Sequence, residues 1–329
     1  MKENKDEYTL FLIKKLLEKK EVKYIIGYEK GSYGFRTRPS FAYTMEDVDK
    51  FIFSPLCANN LSVYLTKEEK LPLAKGESED KRKIGIVAKG CDTKAIIQLI
   101  SEKGISRENI IILGMPCNGV IDQKKIENKI KNVLNYDWIK EENENYVISV
   151  SGKVYNFKKE EIIFDKCKVC KTPNPLEFDL LLTKEIKKPI KEDYSDVTAI
   201  DSKTNEEKWN YWSSKFSRCI RCYACREVCP LCYCKECILD RLRPQFVRRS
   251  VDLSENTLYH LIKAYHLAGR CIDCGECERV CPMELPLRTL NRKLEKEVKE
   301  LFKYEPGINK DELPLLSVFR FEDKEEYIL

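Results

Sequence analysis

A cysteine pattern that occurs twice constrains this chain more than any other feature. The spacing C-x2-C-x2-C-x3-C-P is formed first by Cys219, Cys222, Cys225 and Cys229, and then by Cys271, Cys274, Cys277 and Cys281. Three thiolates in one short loop can cover a face of a [4Fe–4S] cube, and the fourth reaches the other cube. We therefore predict two clusters, one on Cys219, Cys222, Cys225 and Cys281, the other on Cys271, Cys274, Cys277 and Cys229.

The segment that carries both copies resembles a bacterial-type two-cluster ferredoxin domain over residues 214–288. It departs from a minimal ferredoxin because residues 230–270 separate the two copies. Two zinc knuckles are the alternative, but zinc sites usually use two ligand pairs with a longer gap between them. Two complete four-cysteine runs, each followed by proline, favour iron–sulfur clusters.

The first half of the chain alternates strand and helix patterns. Buried-strand patterns at 83–88 and 109–113 precede helical patterns at 92–103 and 121–134. This alternation predicts an α/β domain with a mostly parallel sheet and flanking helices.

Three other segments complete the prediction for this domain. Residues 31–45 are predicted as a loop because glycine and proline are frequent there. Residues 146–157 alternate apolar and polar side chains around a glycine and are predicted as a hairpin. Residues 178–182 are predicted as a last strand.

Four further cysteines are predicted to meet at one edge of the sheet. Cys91 and Cys117 each follow a predicted strand, and the carboxyl ends of parallel strands are where α/β sheets build their sites. Cys167 and Cys170 form a C-x2-C pair in a later loop. A lone cysteine is more often a small buried side chain, but four that converge suit a third cubane.

The succession Gly90-Cys91-Asp92, Pro116-Cys117, then Cys167-x2-Cys170 ahead of Phe178-Asp179 resembles the coenzyme F420 hydrogenase/dehydrogenase beta-subunit family. The resemblance covers residues 20–185 and implies an FAD-containing electron-transfer subunit with a cubane near the flavin. In such a subunit the flavin converts a two-electron hydride into single electrons. This chain departs from many relatives because its ferredoxin part follows the flavin domain.

The expected flavin site is a glycine-rich stretch with nearby cations. Backbone N–H groups at Gly27, Gly31 and Gly34, with Arg36 close by, suit a pyrophosphate. The spacing is not the Rossmann fingerprint, and a glycine-rich turn with surface cations is the alternative. The family resemblance adds Asn60 and Lys89 as candidate flavin contacts.

Four cysteines are left over from these three sets: Cys57, Cys232, Cys234 and Cys237. They are candidate ligands of a fourth cubane, or they exchange with a ligand assigned above. Small buried side chains beside the clusters are the remaining alternative.

Charge and hydropathy bear on location and partners. No apolar run approaches the roughly 18 residues of a membrane span, and the first residues carry acids instead of a signal-peptide apolar block. We therefore expect a cytoplasmic protein with reduced thiols. The formal net charge of +5 is offset by three clusters of about −2 each, so nucleic-acid binding is not expected.

The predicted organisation has four segments: an FAD- and [4Fe–4S]-binding α/β domain (1–185), a linker (186–208), an α-rich dicluster ferredoxin-like domain (209–300) and a C-terminal tail (301–329). The expected function is hydride exchange between FAD and coenzyme F420 or NAD(P)H. Single electrons would pass through [4Fe–4S] clusters to a formate dehydrogenase, hydrogenase or heterodisulfide-reductase-like subunit. The alternative is a relay adaptor without flavin that only docks redox partners. No catalytic residue is assigned.

Overall fold

The computed structural model describes residues 7–67, 80–131, 133–187, 192–318 and 321. The chain divides into two units, of which the first comprises Met1–Thr93 and Ser106–Glu192 and the second Lys94–Ile105 and Asp193–Leu329. The segment bounds predicted from the sequence remain a prediction.

The strands of the described residues all lie in the first unit: β1 (Val22–Lys30), β2 (Thr37–Ala42), β3 (Lys83–Ala88), β4 (Ile110–Gly114), β5 (Trp138–Glu142), β6 (Asn145–Val150), β7 (Lys153–Lys158) and β8 (Leu180–Leu181). The described helices before residue 190 are α1 (Glu7–Glu18), α2 (Met45–Val48), α3 (Gly90–Ser101), α4 (Gln123–Lys129), α5 (Lys159–Ile162) and α6 (Asp165–Lys168).

A five-stranded sheet has the order β2-β1-β3-β4-β8. The pairs β1–β3, β3–β4 and β4–β8 are parallel, and only β2 runs antiparallel to its neighbour. All residues of β4 are buried, as is typical of a strand covered on both faces. The predicted mixed α/β architecture with a mostly parallel sheet is therefore confirmed.

The prediction of a loop over residues 31–45 is wrong in part, because β2 (Thr37–Ala42) is a strand. Pro39 lies within it and pairs with Tyr28 of β1. The strand forms the edge of the sheet, where proline is tolerated because no second neighbour needs its missing N–H. The proline and glycine signals thus mark an edge strand with a turn before it.

A separate antiparallel sheet has the order β5-β6-β7 and contains the predicted hairpin. Strands β6 and β7 pair from Asn145↔Lys158 to Val150↔Lys153, and Gly152 has a positive φ of 76° in the connecting turn. Helix α4 is shorter than predicted and begins after Asp122, whose side chain accepts from the Lys124 N–H.

The second unit is helical in its described part. Besides the later residues of α3, it contains α7 (Ser195–Asp201), α8 (Asn205–Phe216), α9 (Ala224–Glu227), α10 (Leu253–His266), α11 (Glu276–Arg279) and α12 (Leu287–Phe302). The segment predicted as a linker holds α7 and the start of α8, which Thr204 caps through a capping box with Glu207.

The predicted C-terminal tail follows α12. It contains a 3-10 turn at Leu315–Ser317, and its residues 319, 320 and 322–329 lie outside the described residues. In the described parts of the chain, no helix combines the length and apolar character that crossing a membrane requires.

Candidate metal centres

The two copies of the cysteine pattern fold alike in the second unit. Arg221 and Tyr223 in the first copy, and Asp273 and Gly275 in the second, have positive φ values between 54° and 66°. These positions are equivalent in the two copies and precede the short helices α9 and α11. Three of the four are not glycine, although this conformation is costly for an L residue. The sequence thus maintains one loop shape twice.

The first copy and Cys281 line one cavity. It brings together the predicted cysteine set Cys219, Cys222, Cys225 and Cys281. The sulfurs are contacted by donors: the Arg221 N–H lies 3.4 Å from Cys219 Sγ, and the Tyr259 hydroxyl lies 3.6 Å from Cys225 Sγ. Of this set Cys222 is exposed, whereas Cys225 and Cys281 are buried.

The second copy and Cys229 line another cavity. It brings together the other predicted set, Cys229, Cys271, Cys274 and Cys277. Its wall also contains Lys263, Arg288 and Asn291, and the Asn291 amide lies 3.8 Å from Cys277 Sγ. The predicted exchange of the fourth cysteine between the two copies therefore agrees with the composition of both cavities.

Buried polar atoms test whether the first cavity suits a bound group. Among the described residues, Arg221 Nε, Tyr223 Oη and His260 Nε2 are buried without a hydrogen-bond partner, and all three residues line this cavity. Such atoms are costly unless something accepts from them or donates to them. Four cysteines with buried donors around them fit a cubane, which bears sulfur acceptors on each face.

A single metal ion requires a different arrangement. Within the described ranges, no three cysteine, histidine or acidic side chains are grouped closely enough to bind one ion together. A cubane takes one thiolate per iron atom and so spreads its ligands around a cube. The ligand role of each cysteine remains a prediction.

Burial opposes ionisation of these thiols. Burial raises the pKa of Cys277 to about 12 and that of Cys271 well above its usual value. Thiolates, not thiols, bind metals, so these sites need positive charge nearby. The Lys263 ammonium lowers the pKa of Cys225 and Cys277 against the larger effect of burial.

The N-terminal cysteine set lies entirely in the first unit. Cys91 is the second residue of α3, the helix that follows β3. Cys117 follows β4, which pairs in parallel with β3 up to Ala88↔Gly114. Burial raises the pKa of Cys117 to about 12, and the nearby thiols of Cys167 and Cys170 raise it further. The Val120 N–H lies 3.4 Å from Cys167 Sγ. Cys117 thus lies beside the later pair, and Cys91 interacts with Cys117.

Lys89 lies beside this set and is almost fully buried. Its ammonium lies 2.9 Å from the Asn59 carbonyl and 3.1 Å from Asp92 Oδ2, and it also contacts the Tyr28 hydroxyl. Burial lowers the pKa of Lys89, but the attraction of Asp92 and the thiols of Cys91, Cys117 and Cys57 outweighs it and the pKa is raised. Lys89 therefore supplies a fixed cation to the thiols.

The candidate flavin contacts have partners within the fold. An added Cβ at Gly27 would lie 2.5 Å from the Phe51 ring, so packing requires this glycine. The Gly31 N–H donates to Arg36 O at 2.8 Å, and the Gly34 N–H to Leu134 O at 2.6 Å. Two of the N–H groups expected to bind a pyrophosphate are thus already used.

Two other candidates take part in local structure. Asn60 caps the 3-10 helix Leu61–Leu65 and donates to the Cys91 carbonyl at 3.2 Å, so it orders the loop before Cys91. The exposed Arg36 guanidinium lies 4.4 Å from the centre of the Tyr33 ring.

The four remaining cysteines occupy different places. Cys57 is fully buried in the first unit, and its thiol lies 3.6 Å from the Ile52 carbonyl. Cys232, Cys234 and Cys237 belong to the second unit, and Cys234 is exposed. The Cys232 thiol donates to Cys229 and thereby lowers the pKa of Cys229. Their assignment to a fourth cubane remains a prediction.

Sequence reasoning missed the contribution of α10, which supplies Tyr259 and Lys263. A lysine within an amphipathic helix gives no signal that it faces inward, because most lysines at such positions are solvated. The one available signal for this helix was the length of residues 230–270, which a minimal ferredoxin lacks.

The C-terminal segment matches a class of domain that holds two [4Fe–4S] clusters. Residues 218–286 match the family described as "4Fe-4S dicluster domain". This match supports two [4Fe–4S] clusters in the second unit and confirms the predicted ferredoxin-like domain.

Nearly the whole chain is similar to two formate dehydrogenase subunits. It is 26% identical to F420-dependent formate dehydrogenase subunit beta of Methanocaldococcus jannaschii, covering 94% of this chain and 93% of that relative. It is 24% identical to F420-dependent formate dehydrogenase 1 subunit beta of Methanococcus maripaludis, covering 93% and 91%. The resemblance to the F420 hydrogenase/dehydrogenase beta-subunit family is thus confirmed.

Among solved structures, a chain of the F420-reducing [NiFe] hydrogenase complex from Methanosarcina barkeri matches with a TM-score of 0.40 and 16% identity. The match covers 52% of this chain and 64% of that chain, which is less than two thirds of its length.

Proposed function

We propose that this chain is an iron–sulfur flavoprotein subunit that transfers electrons within an anaerobic redox complex. It exchanges a hydride between FAD and a soluble carrier, coenzyme F420 or NAD(P)H. It then relays single electrons through its [4Fe–4S] clusters to a formate dehydrogenase, hydrogenase or heterodisulfide-reductase-like subunit.

The observation that carries this proposal is the pair of cavities in the second unit. Each is lined by four cysteines, three from one copy of the pattern and one from the other. Clusters bound there exchange one electron at a time. The residues around them hold the thiolates in place and supply hydrogen bonds to sulfur.

The cysteine set of the first unit supports a third cluster beside the proposed flavin. Cys91, Cys117, Cys167 and Cys170 come from three loops, with the buried cation Lys89 next to them. A bound flavin would supply the exchange between two-electron and one-electron chemistry. The named relatives are F420-dependent enzymes, which favours coenzyme F420 as the carrier.

One observation favours the second candidate, a relay adaptor without flavin. The N–H groups of Gly31 and Gly34 donate to carbonyls of the chain itself, so the expected pyrophosphate cradle lacks two of its donors. An adaptor of this kind would keep the iron–sulfur clusters and receive single electrons from its partner.

Anaerobic stopped-flow spectroscopy separates the two candidates. Reduced F420 or NADPH is mixed with the reconstituted full chain, and the bleaching of the visible iron–sulfur absorption is followed with time. The proposal predicts that one carrier bleaches the clusters and that a flavin band accompanies them. A chain that is bleached by dithionite but by neither carrier, and has no flavin band, is the adaptor.

A further inference from the structure

The segment between the two cysteine copies contributes one helix to both cavities of the second unit. Tyr259 and His260 of α10 line the first cavity, and Lys263 and Leu267 line the second. Tyr259 and Lys263 are one helical turn apart, which is about 6 Å along the axis at 1.5 Å per residue. Residues 230–270 thus place a helix along both predicted clusters.

Lys263 is the charged residue that α10 brings to this position. Only 5% of its surface is exposed. Its ammonium is close enough to thiols of both sets to interact with Cys225 of the first and with Cys229 and Cys277 of the second. A lysine side chain is protonated at neutral pH, and thiolates that bind a cluster beside it favour its charged form. The side chain is therefore a cation.

The other two cations of the cavity walls have partners within the fold, although Arg221 Nε has none among the described residues. Arg288 forms two 2.7 Å hydrogen bonds with the carboxylate of Asp273. Arg221 donates to the backbone carbonyls of Glu255 and Arg248. In the described part of the chain, no carboxylate forms an ion pair with Lys263. The groups that interact most strongly with its charge are therefore cysteine sulfurs.

We propose that Lys263 is a positioning residue that raises the reduction potential of the two clusters in the second unit. The inference rests on the proposed function, because it requires clusters in both cavities. Reduction adds one electron and makes the site more negative, so a fixed buried cation stabilises the reduced form. Lys263 keeps its proton throughout. The effect is largest for the cluster held by Cys229, Cys271, Cys274 and Cys277, because Lys263 lines that cavity.

The test is a redox titration of the anaerobically reconstituted full chain, followed by electron paramagnetic resonance. Lys263→Gln and Lys263→Met remove the charge, and the second variant keeps an apolar stem of similar length. We expect the equilibrium constant for one-electron reduction to fall about tenfold, which corresponds to a potential lower by about 59 mV. Lys263→Arg keeps the charge and is expected to stay within about twofold of the wild type.

A matched control removes one positive charge from the surface of the same unit. Lys203 is exposed and lies in the turn between α7 and α8, so Lys203→Gln is expected to leave the potentials unchanged. The inference is overturned if Lys263→Gln and Lys263→Met bind full iron and titrate like Lys203→Gln. Wild-type protein that fails to bind the iron of these two clusters would instead contradict the proposed function.

Discussion

At the scale of single residues, burial opposes ionisation of the candidate ligand thiols. Burial raises the pKa of Cys117 and of Cys277 to about 12. Each of these thiols has a buried lysine nearby, Lys89 in the first unit and Lys263 in the second. The lysines stabilise thiolates, which are the form that binds iron. Replacing a ligand cysteine should cost bound iron, whereas a cysteine outside the ligand sets should be replaceable without loss of iron.

We expect Cys117→Ala to lower bound iron by about four atoms per chain, because one thiolate of a cubane is lost. Cys57→Ala is the matched control, since Cys57 is also buried in the first unit but lies against the Ile52 carbonyl. It is expected to retain wild-type iron. Iron is measured per chain after anaerobic reconstitution, and equal losses in both variants would make Cys57 a ligand.

Gly27 tests the difference between packing and flavin binding. An added Cβ would lie 2.5 Å from the buried Phe51 ring, and overpacking of this kind costs about 1–3 kcal/mol. We expect Gly27→Ala to lower the free energy of unfolding by that amount and Phe51→Leu in the same chain to restore part of it. Urea unfolding measures both. If Gly27→Ala abolishes flavin binding and the second substitution does not restore it, the glycine contacts the cofactor.

The residue scale also shows what the sequence could reveal. The two C-terminal cysteine sets follow from spacing alone, because a cubane with its exchanged fourth ligand has a characteristic pattern. The positions of Lys263 and Lys89 beside the thiols could not be predicted. A sequence does not show where a lysine side chain points, and buried lysines are rare. The internal hydrogen bonds of Gly31 and Gly34 were equally hidden, since they depend on which carbonyls approach.

At the scale of elements, the segment 94–105 is fixed in the second unit by a buried ion pair. Arg270 donates to Glu102 Oε1 at 2.7 Å, and the Tyr233 hydroxyl donates to Glu102 Oε2 at 2.8 Å. Only 6% of the Glu102 side chain is exposed. Burial raises the pKa of Glu102, but its bonds with Arg270 more than offset this and the pKa is lowered. This carboxylate therefore stabilises the fold in its charged form.

Glu102→Gln should lower the free energy of unfolding by about 3–5 kcal/mol, because Arg270 is left buried without its partner. Because the pKa of Glu102 is lowered in the folded protein, the carboxylate stabilises the fold fully at pH values above the pKa of an unfolded glutamate, about 4.3. This stabilisation is lost as the pH falls through the pKa of Glu102 in the folded protein. The difference is therefore expected to stay constant from pH 8 to pH 6 in anaerobic denaturant unfolding. Glu305→Gln, which affects the more exposed pair with Lys94, is the control and should cost less. A cost that disappears between pH 8 and pH 6 would contradict this account.

Elements were predicted best where burial is two-sided. The isoleucine-rich runs that became β3 and β4 could be assigned from the sequence because parallel strands are apolar throughout. Strand β2 could not be assigned, because an edge strand tolerates a proline such as Pro39. Most of its residues are also only partly buried, so it has no continuous apolar run. The short helices α9 and α11 could not be predicted either. Each begins after a residue in the left-handed conformation, which the shape of the cysteine loop requires and helix propensity does not indicate.

At the scale of the whole molecule, each unit combines candidate ligand cysteines with a buried lysine. The first combines an α/β sheet with Cys91, Cys117, Cys167 and Cys170, and the second combines helices with the two four-cysteine cavities. A chain of this kind suits electron transfer because every predicted cluster site has a cation that offsets its negative charge. The proposed flavin would add the two-electron step to the first unit.

The most direct measurement is iron and flavin quantification on one sample of the anaerobically purified full chain. The account predicts about 12 iron atoms per chain, four for each of three cubanes, together with one FAD. About 16 iron atoms would mean that the chain binds a fourth cubane besides the three predicted ones. About eight iron atoms without flavin, unchanged by anaerobic reconstitution, would contradict the account, because only the second unit would then carry cofactors.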